Sequence, residues 1–126
     1  MEKLLHDIVD EADVRVLVDT FYDKALRDEL LRPVFVEVAG IDVSHHLPKM
    51  YAFWSSMLLG THSYSGQPFP MHERLLPHIT VQHFSRGLEL FDETVDGCFF
   101  GENASTAKQR ARNIAYVFQT KMGLLH

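Results

Sequence analysis

The sequence predicts an all-α fold. Apolar residues step by three and four through four separate stretches. Glycine and proline collect between those stretches, as in Gly66-Gln67-Pro68-Phe69-Pro70. No stretch shows the sustained apolar–polar alternation of a strand, and Cys98-Phe99-Phe100 is the one run whose type the pattern leaves open.

The first stretch is Val14, Leu17, Val18, Phe21 and Ala25, an amphipathic helix running through about Arg27, with Tyr22 on the edge of its apolar face. Pro33 and Gly40 bracket a short corner carrying Phe35. A second helix begins after Asp42 or Ser44, either of them a good N-cap. Its face is Leu47, Met50, Tyr51, Trp54, Met57 and Leu58. Pro48 falls in or near its first turn, where proline costs least, and Gly60 can terminate it. Residues 60–71 read as a loop, followed by a short helical piece around Met71–Leu76 that stops at Pro77. Thr80 can cap a third long helix with Val81, Phe84, Leu88, Phe91 and Val95 inward. The last helix runs from about Ser105 to Lys121, with Ala107, Ala111, Ile114, Val117 and Phe118 as its apolar positions and Gly123 as its stop.

A chain of 126 residues reads as one domain, long enough to close a core around a small cofactor. No apolar run approaches the roughly 18 residues of a membrane span, and the first residues do not read as a signal peptide. The single cysteine, Cys98, excludes an internal disulfide, a thiolate zinc site and covalent haem attachment through Cys-x-x-Cys-His. It also suits a reducing, cytoplasmic setting. A net charge of −5 without a Lys/Arg cluster argues against a nucleic-acid partner. Eight histidines raise the prior for metal or haem chemistry, although surface histidines are the commoner explanation. From periodicity alone, the chain is a small helical bundle of unassigned function.

A set of motifs goes further. Phe21-Tyr22, Pro33-Val34-Phe35, His46-Leu47 with Met50 and Phe53-Trp54, and Met57-Leu58-Leu59-Gly60 follow one another in a specific order and spacing. Tyr64-Ser65-Gly66-Gln67-Pro68, His72 and His83-Phe84-Ser85-Arg86 continue the series, leading to Leu88 and Phe91. In this combination the chain resembles the group III truncated haemoglobins over roughly residues 14–120. The resemblance implies a truncated globin-like two-over-two helical sandwich. It also implies a haem between the second helix and the region holding the proximal histidine.

Carried over residue by residue, the resemblance makes His72 the iron ligand through a neutral imidazole, on a short piece that Pro70 and Pro77 can pin. Read without it, His72 is an exposed histidine beside a loop, and His78 is its competitor. Tyr22 matches the distal tyrosine, a neutral hydrogen-bond donor that stabilises partial negative charge on dioxygen; the plain alternative is a core tyrosine with a satisfied hydroxyl. His46 matches the distal position on the second helix, as a second donor or a gate, whereas its neighbour His45 reads as facing water. Phe35, Met50, Phe53, Trp54 and Phe84 match residues packed around the porphyrin, with ordinary core packing as their other reading.

Gly87 departs from the family pattern, which usually has tryptophan after the His-Phe-x-Arg run. Glycine in a helix interior costs about 0.5–1 kcal/mol relative to alanine, and here it also removes an indole donor. The reading is either a compensated substitution or an enlarged distal cavity.

The implied function is binding of dioxygen or another diatomic gas (NO, CO) at a His-ligated b-type haem. The alternative is a haem enzyme with NO dioxygenase or peroxidase-like activity, with Gly87 opening the pocket to bulkier substrates. Repeated turnover would require an external reductant or reductase.

Overall fold

In the computed structural model, residues 4–35, 43–61 and 79–124 are described. They form four helices in the order α1 (Glu11–Arg27), α2 (Val43–Leu59), α3 (Val81–Cys98) and α4 (Glu102–Lys121). The loop and short helical piece expected between Gly60 and Pro77 lie largely outside the described residues, and His72, His78 and Gly40 lie wholly outside them.

Several helix ends have a local reason. Asp10 caps α1, its carboxylate accepting the Asp13 N–H at 2.9 Å. Glu11 and Asp13 lie in the first turn and Lys24 and Arg27 in the last, the charge order that the helix dipole favours. α2 starts at Val43 and keeps Pro48 inside it. It stops at Gly60, whose φ of 68° is a left-handed conformation that costs glycine little. Thr80 precedes α3 in an extended conformation, and its N–H donates to Nδ1 of His83 at 3.0 Å.

α4 starts one turn earlier than periodicity indicates, at Glu102 rather than Ser105. The cause is distant in sequence. Asp7 accepts the N–H groups of Asn103 at 2.9 Å and Ala104 at 2.8 Å, and so caps the helix from the other end of the chain. Asn103 returns a bond from Nδ2 to the Ile8 carbonyl at 2.7 Å. Gly101, at φ 149°, makes this docking feasible, because a Cβ there would fall 2.5 Å from Cγ of Asp7. The open run Cys98-Phe99-Phe100 belongs to the same junction. α3 closes at Cys98, Phe99 is buried, and a single parallel bridge joins it to His6. No strand occurs among the described residues.

α1 packs on both α2 and α3, and α3 packs on α4. The main core joins Ile8, Val14, Leu17, Val18, Trp54, Phe91, Val95 and Phe99. Two positions assigned inward by periodicity face outward, Val117 at 44% exposure and Val81 at 39%. Val117 directly precedes the buried Phe118, about 100° away around the helix, so the neighbour takes the inward direction. No described helix is long and apolar enough to cross a membrane.

Candidate functional site

The four helices leave between them a cavity of about 190 Å³ with a mainly apolar lining. α1 contributes Val18, Phe21 and Tyr22; α2 contributes Met50, Phe53 and Trp54. Phe84, Gly87, Leu88 and Phe91 come from α3, and Ala111, Ile114, Ala115 and Phe118 from α4. The α3 set recurs at the spacing of one helical face, so one stripe of that helix forms a wall. Trp54 stacks on Phe91 with ring centroids 5.1 Å apart, and Phe21 meets Phe91 edge-on at 5.5 Å. These rings are held by one another rather than by the cavity's contents.

Tyr22 brings a hydroxyl to the wall. Its hydroxyl lies 2.8 Å from Nε2 of His46, which is 8% exposed. Burial pushes the phenol's ionisation well above its usual value of 10, so Tyr22 stays neutral and keeps its proton at any ordinary pH. Phe35 packs edge-on against the Tyr22 ring at 5.9 Å, and Phe21 does so at 5.3 Å.

The structure thus gathers Tyr22, Met50, Phe53, Trp54, Phe84 and Gly87 around one space. His46 and Phe35 join it through contact with Tyr22. His45 is exposed, as expected. His72 lies outside the described residues. Gly87 sits between Phe84, Leu88 and Phe91 on the wall, and a Cβ built on it meets no atom within 4 Å.

Sequence reading did not assign Val18, Phe21, Leu88, Phe91, Ala111, Ile114, Ala115 or Phe118 to the site. Their periodicity marked several as inward-facing, but an inward residue that fills a core and one that walls a cavity carry the same sequence signal.

A tie outside the cavity was also missed. Asp28, just past α1, accepts the Leu30 and Leu31 N–H groups, each at 3.1 Å, and Nε of Arg86 at 2.7 Å. Burial alone would raise its carboxyl. The Arg86 guanidinium and these backbone donors outweigh burial and hold it below the usual carboxylate value. Asp28 therefore accepts as a carboxylate at neutral pH.

A planar, largely hydrocarbon macrocycle requires an apolar slot with few polar groups, placed where its reacting centre lies. The aromatic walls and the Tyr22–His46 pair meet that requirement among the described residues. Comparison with known proteins gives the same direction. The family model described as "Bacterial-like globin" matches residues 4–122. The chain is 31% identical over 119 residues to the Group 3 truncated hemoglobin ctb of Campylobacter jejuni, covering 92% of this chain and 93% of that one. It also superposes on the crystal structure of a group III truncated hemoglobin from Campylobacter jejuni with a TM-score of 0.82 at 30% identity, covering 94% of this chain and 95% of that one. A match over nearly the whole chain, on a fold of the same helices, places this protein in the bacterial-like globins, as a haem-binding globin of the group III truncated kind.

Proposed function

We propose that the chain binds one non-covalent haem b and handles dioxygen or another diatomic ligand, NO or CO, at its iron. His72 is the axial ligand in this reading, and Tyr22 and His46 are the polar pair beside the ligand. The observation that carries it is the Tyr22 hydroxyl on the wall of a mainly apolar cavity, hydrogen-bonded from behind to the buried His46. With Cys98 the only cysteine, covalent attachment through a cysteine pair is not available.

Bound haem would supply the iron that takes the diatomic ligand, and the protein would supply an iron ligand, polarity and access. The aromatic and aliphatic walls lower the local dielectric, which strengthens any hydrogen bond made inside. Tyr22 stays protonated and offers one O–H. Paired at 2.8 Å, Tyr22 and His46 share one proton position between them: either the phenol donates to Nε2 or Nε2–H donates to the phenol oxygen. In the first tautomer, Tyr22 must leave His46 to serve a ligand. In the second, the phenol O–H is free to turn into the cavity while His46 holds its oxygen.

The test is absorption spectroscopy of the purified ferrous protein, reconstituted with haem, with and without carbon monoxide. A Soret band that shifts with carbon monoxide is expected. No Soret band after reconstitution would remove the proposal.

One observation favours a second reading. The open space over Gly87 suits an enzyme that admits substrates bulkier than a diatomic gas. Peroxidase-like turnover on the same site would draw electrons from an external reductant, as would NO dioxygenation, whose substrates are diatomic and need no added space. Steady-state consumption of substrate with a supplied reductant separates turnover from reversible binding.

A further inference from the structure

Arg86 and Asp28 do not line the cavity, yet they tie its α3 wall to the corner behind Tyr22. Arg86 lies between Phe84 and Gly87, two residues of that wall. Its Nε donates to Asp28 at 2.7 Å, and the Asp28 side chain is 10% exposed. The other Asp28 oxygen accepts the Leu30 and Leu31 N–H groups. Leu31 is 5% exposed, clustered with Ala25 and Leu90, and Phe21 and Phe35 pack on that cluster. The Leu31 carbonyl accepts the Phe35 N–H at 3.2 Å, and the Phe35 ring rests edge-on against Tyr22. Each link is short, and most of them are buried or half-buried.

A second ion pair joins the same two helices without reaching this corner. Lys24 Nζ lies 3.2 Å from Glu93, with both side chains substantially exposed.

We infer that Arg86 and Asp28 are positioning residues for the distal tyrosine: their bond fixes the turn that carries Phe35, and Phe35 in turn sets the angle at which Tyr22 presents its hydroxyl. The inference rests on the reading above that Tyr22 faces the ligand. Breaking the tie frees the turn while leaving the Tyr22 hydroxyl, His46 and the cavity wall chemically intact. The distal donor is then present but no longer held in one orientation.

The experiment compares Tyr22→Phe, Asp28→Asn, Arg86→Gln, Arg86→Lys and Lys24→Gln as ferrous holoproteins. It reads the infrared stretch of added carbon monoxide and the rate of ligand dissociation. Tyr22→Phe shifts the stretch. Asp28→Asn and Arg86→Gln move or broaden the band in the same direction and speed dissociation on the order of threefold to tenfold. Arg86→Lys recovers part of the change, and Lys24→Gln matches the unmodified protein. A spectrum unaltered by both Asp28→Asn and Arg86→Gln overturns the inference while leaving the role of Tyr22 standing. An equal shift in Lys24→Gln also overturns it, because generic loosening of α1 against α3 would then suffice. No shift in Tyr22→Phe brings down the reading of Tyr22 and this inference together. Arg86 is the more exposed partner, so Arg86→Gln decides the matter if Asp28→Asn fails to fold.

Discussion

The hydroxyl of Tyr22 on α1 lies 2.8 Å from Nε2 of His46 on α2, across 24 residues of sequence. Neither group is a spectator if the cavity beside them holds a ligand, because the direction of the hydrogen bond between them decides whether the phenol O–H is free for that ligand. The first prediction follows. Tyr22→Phe removes the phenol donor and speeds dissociation of dioxygen by about tenfold or more, the equivalent of one lost hydrogen bond of roughly 1.4 kcal/mol. His46→Leu also removes Tyr22's partner, so its effect differs in kind: it changes both association and dissociation. Stopped-flow ligand replacement measures both rates, and equal dissociation in all three proteins would refute the distal role.

His72→Ala tests the axial ligand. The variant is expected to purify with little haem and to regain a Soret band when imidazole is added. It should also unfold at lower temperature than the parent, since a tightly bound cofactor stabilises the folded state by mass action. Undiminished haem content would assign the iron to another side chain.

Gly87 and Gly101 respond to alanine in opposite directions. Gly87 lies inside α3, and a Cβ there meets no atom within 4 Å. Gly87→Ala therefore stabilises the chain by about 0.5–1 kcal/mol, the difference in helix propensity. Gly101 has φ 149°, and its Cβ would collide with Asp7. Gly101→Ala costs about 1–3 kcal/mol or more, because it combines backbone strain with loss of the cap on α4. Urea unfolding of the two variants beside the parent measures both signs.

Gly87→Trp tests whether the space over the glycine is used. It is expected to slow binding of a bulky alkyl isocyanide far more than that of carbon monoxide. Equal slowing of the two ligands would mean that the space is not on their path.

Acid should loosen the N-terminal dock and the α1 corner. Burial would raise the Asp7 carboxyl, but the backbone N–H groups of Asn103, Ala104 and Ile8 outweigh it and hold it below 3.8. Asp28 is lowered for the parallel reason given above. A carboxylate with a lowered folded value contributes stability that is fully present above its unfolded value. That contribution is lost as pH falls through the folded value. Stability should thus fall steeply below about pH 4. Asp7→Asn should be less stable than the parent at neutral pH and lose less on acidification. Urea unfolding across that range measures the slopes; parallel slopes would show that Asp7 does not contribute.

Much of this molecule is legible from local pattern. Four helices, the stops at Gly60 and Gly123 and the Thr80 start all follow from three-and-four spacing and from capping chemistry within a few residues. The motif series also marks Tyr22, His46, Met50, Trp54 and Phe84, and the departure from it marks Gly87. Those signals are local because a helix is made of bonds between near neighbours, so its residues suffice to specify it.

Tertiary structure decided what covers each apolar face. Periodicity marks Phe91 as inward, but only packing makes it both the stacking partner of Trp54 and a wall of the cavity. It also decided that Asp7 caps a helix 96 residues away, that Arg86 reaches Asp28 across 58, and that Val117 turns to solvent while Phe118 turns in. Such pairings depend on how rigid helices meet. The side-chain types involved are common ones, so nothing in the linear order singles them out until the chain has closed on itself.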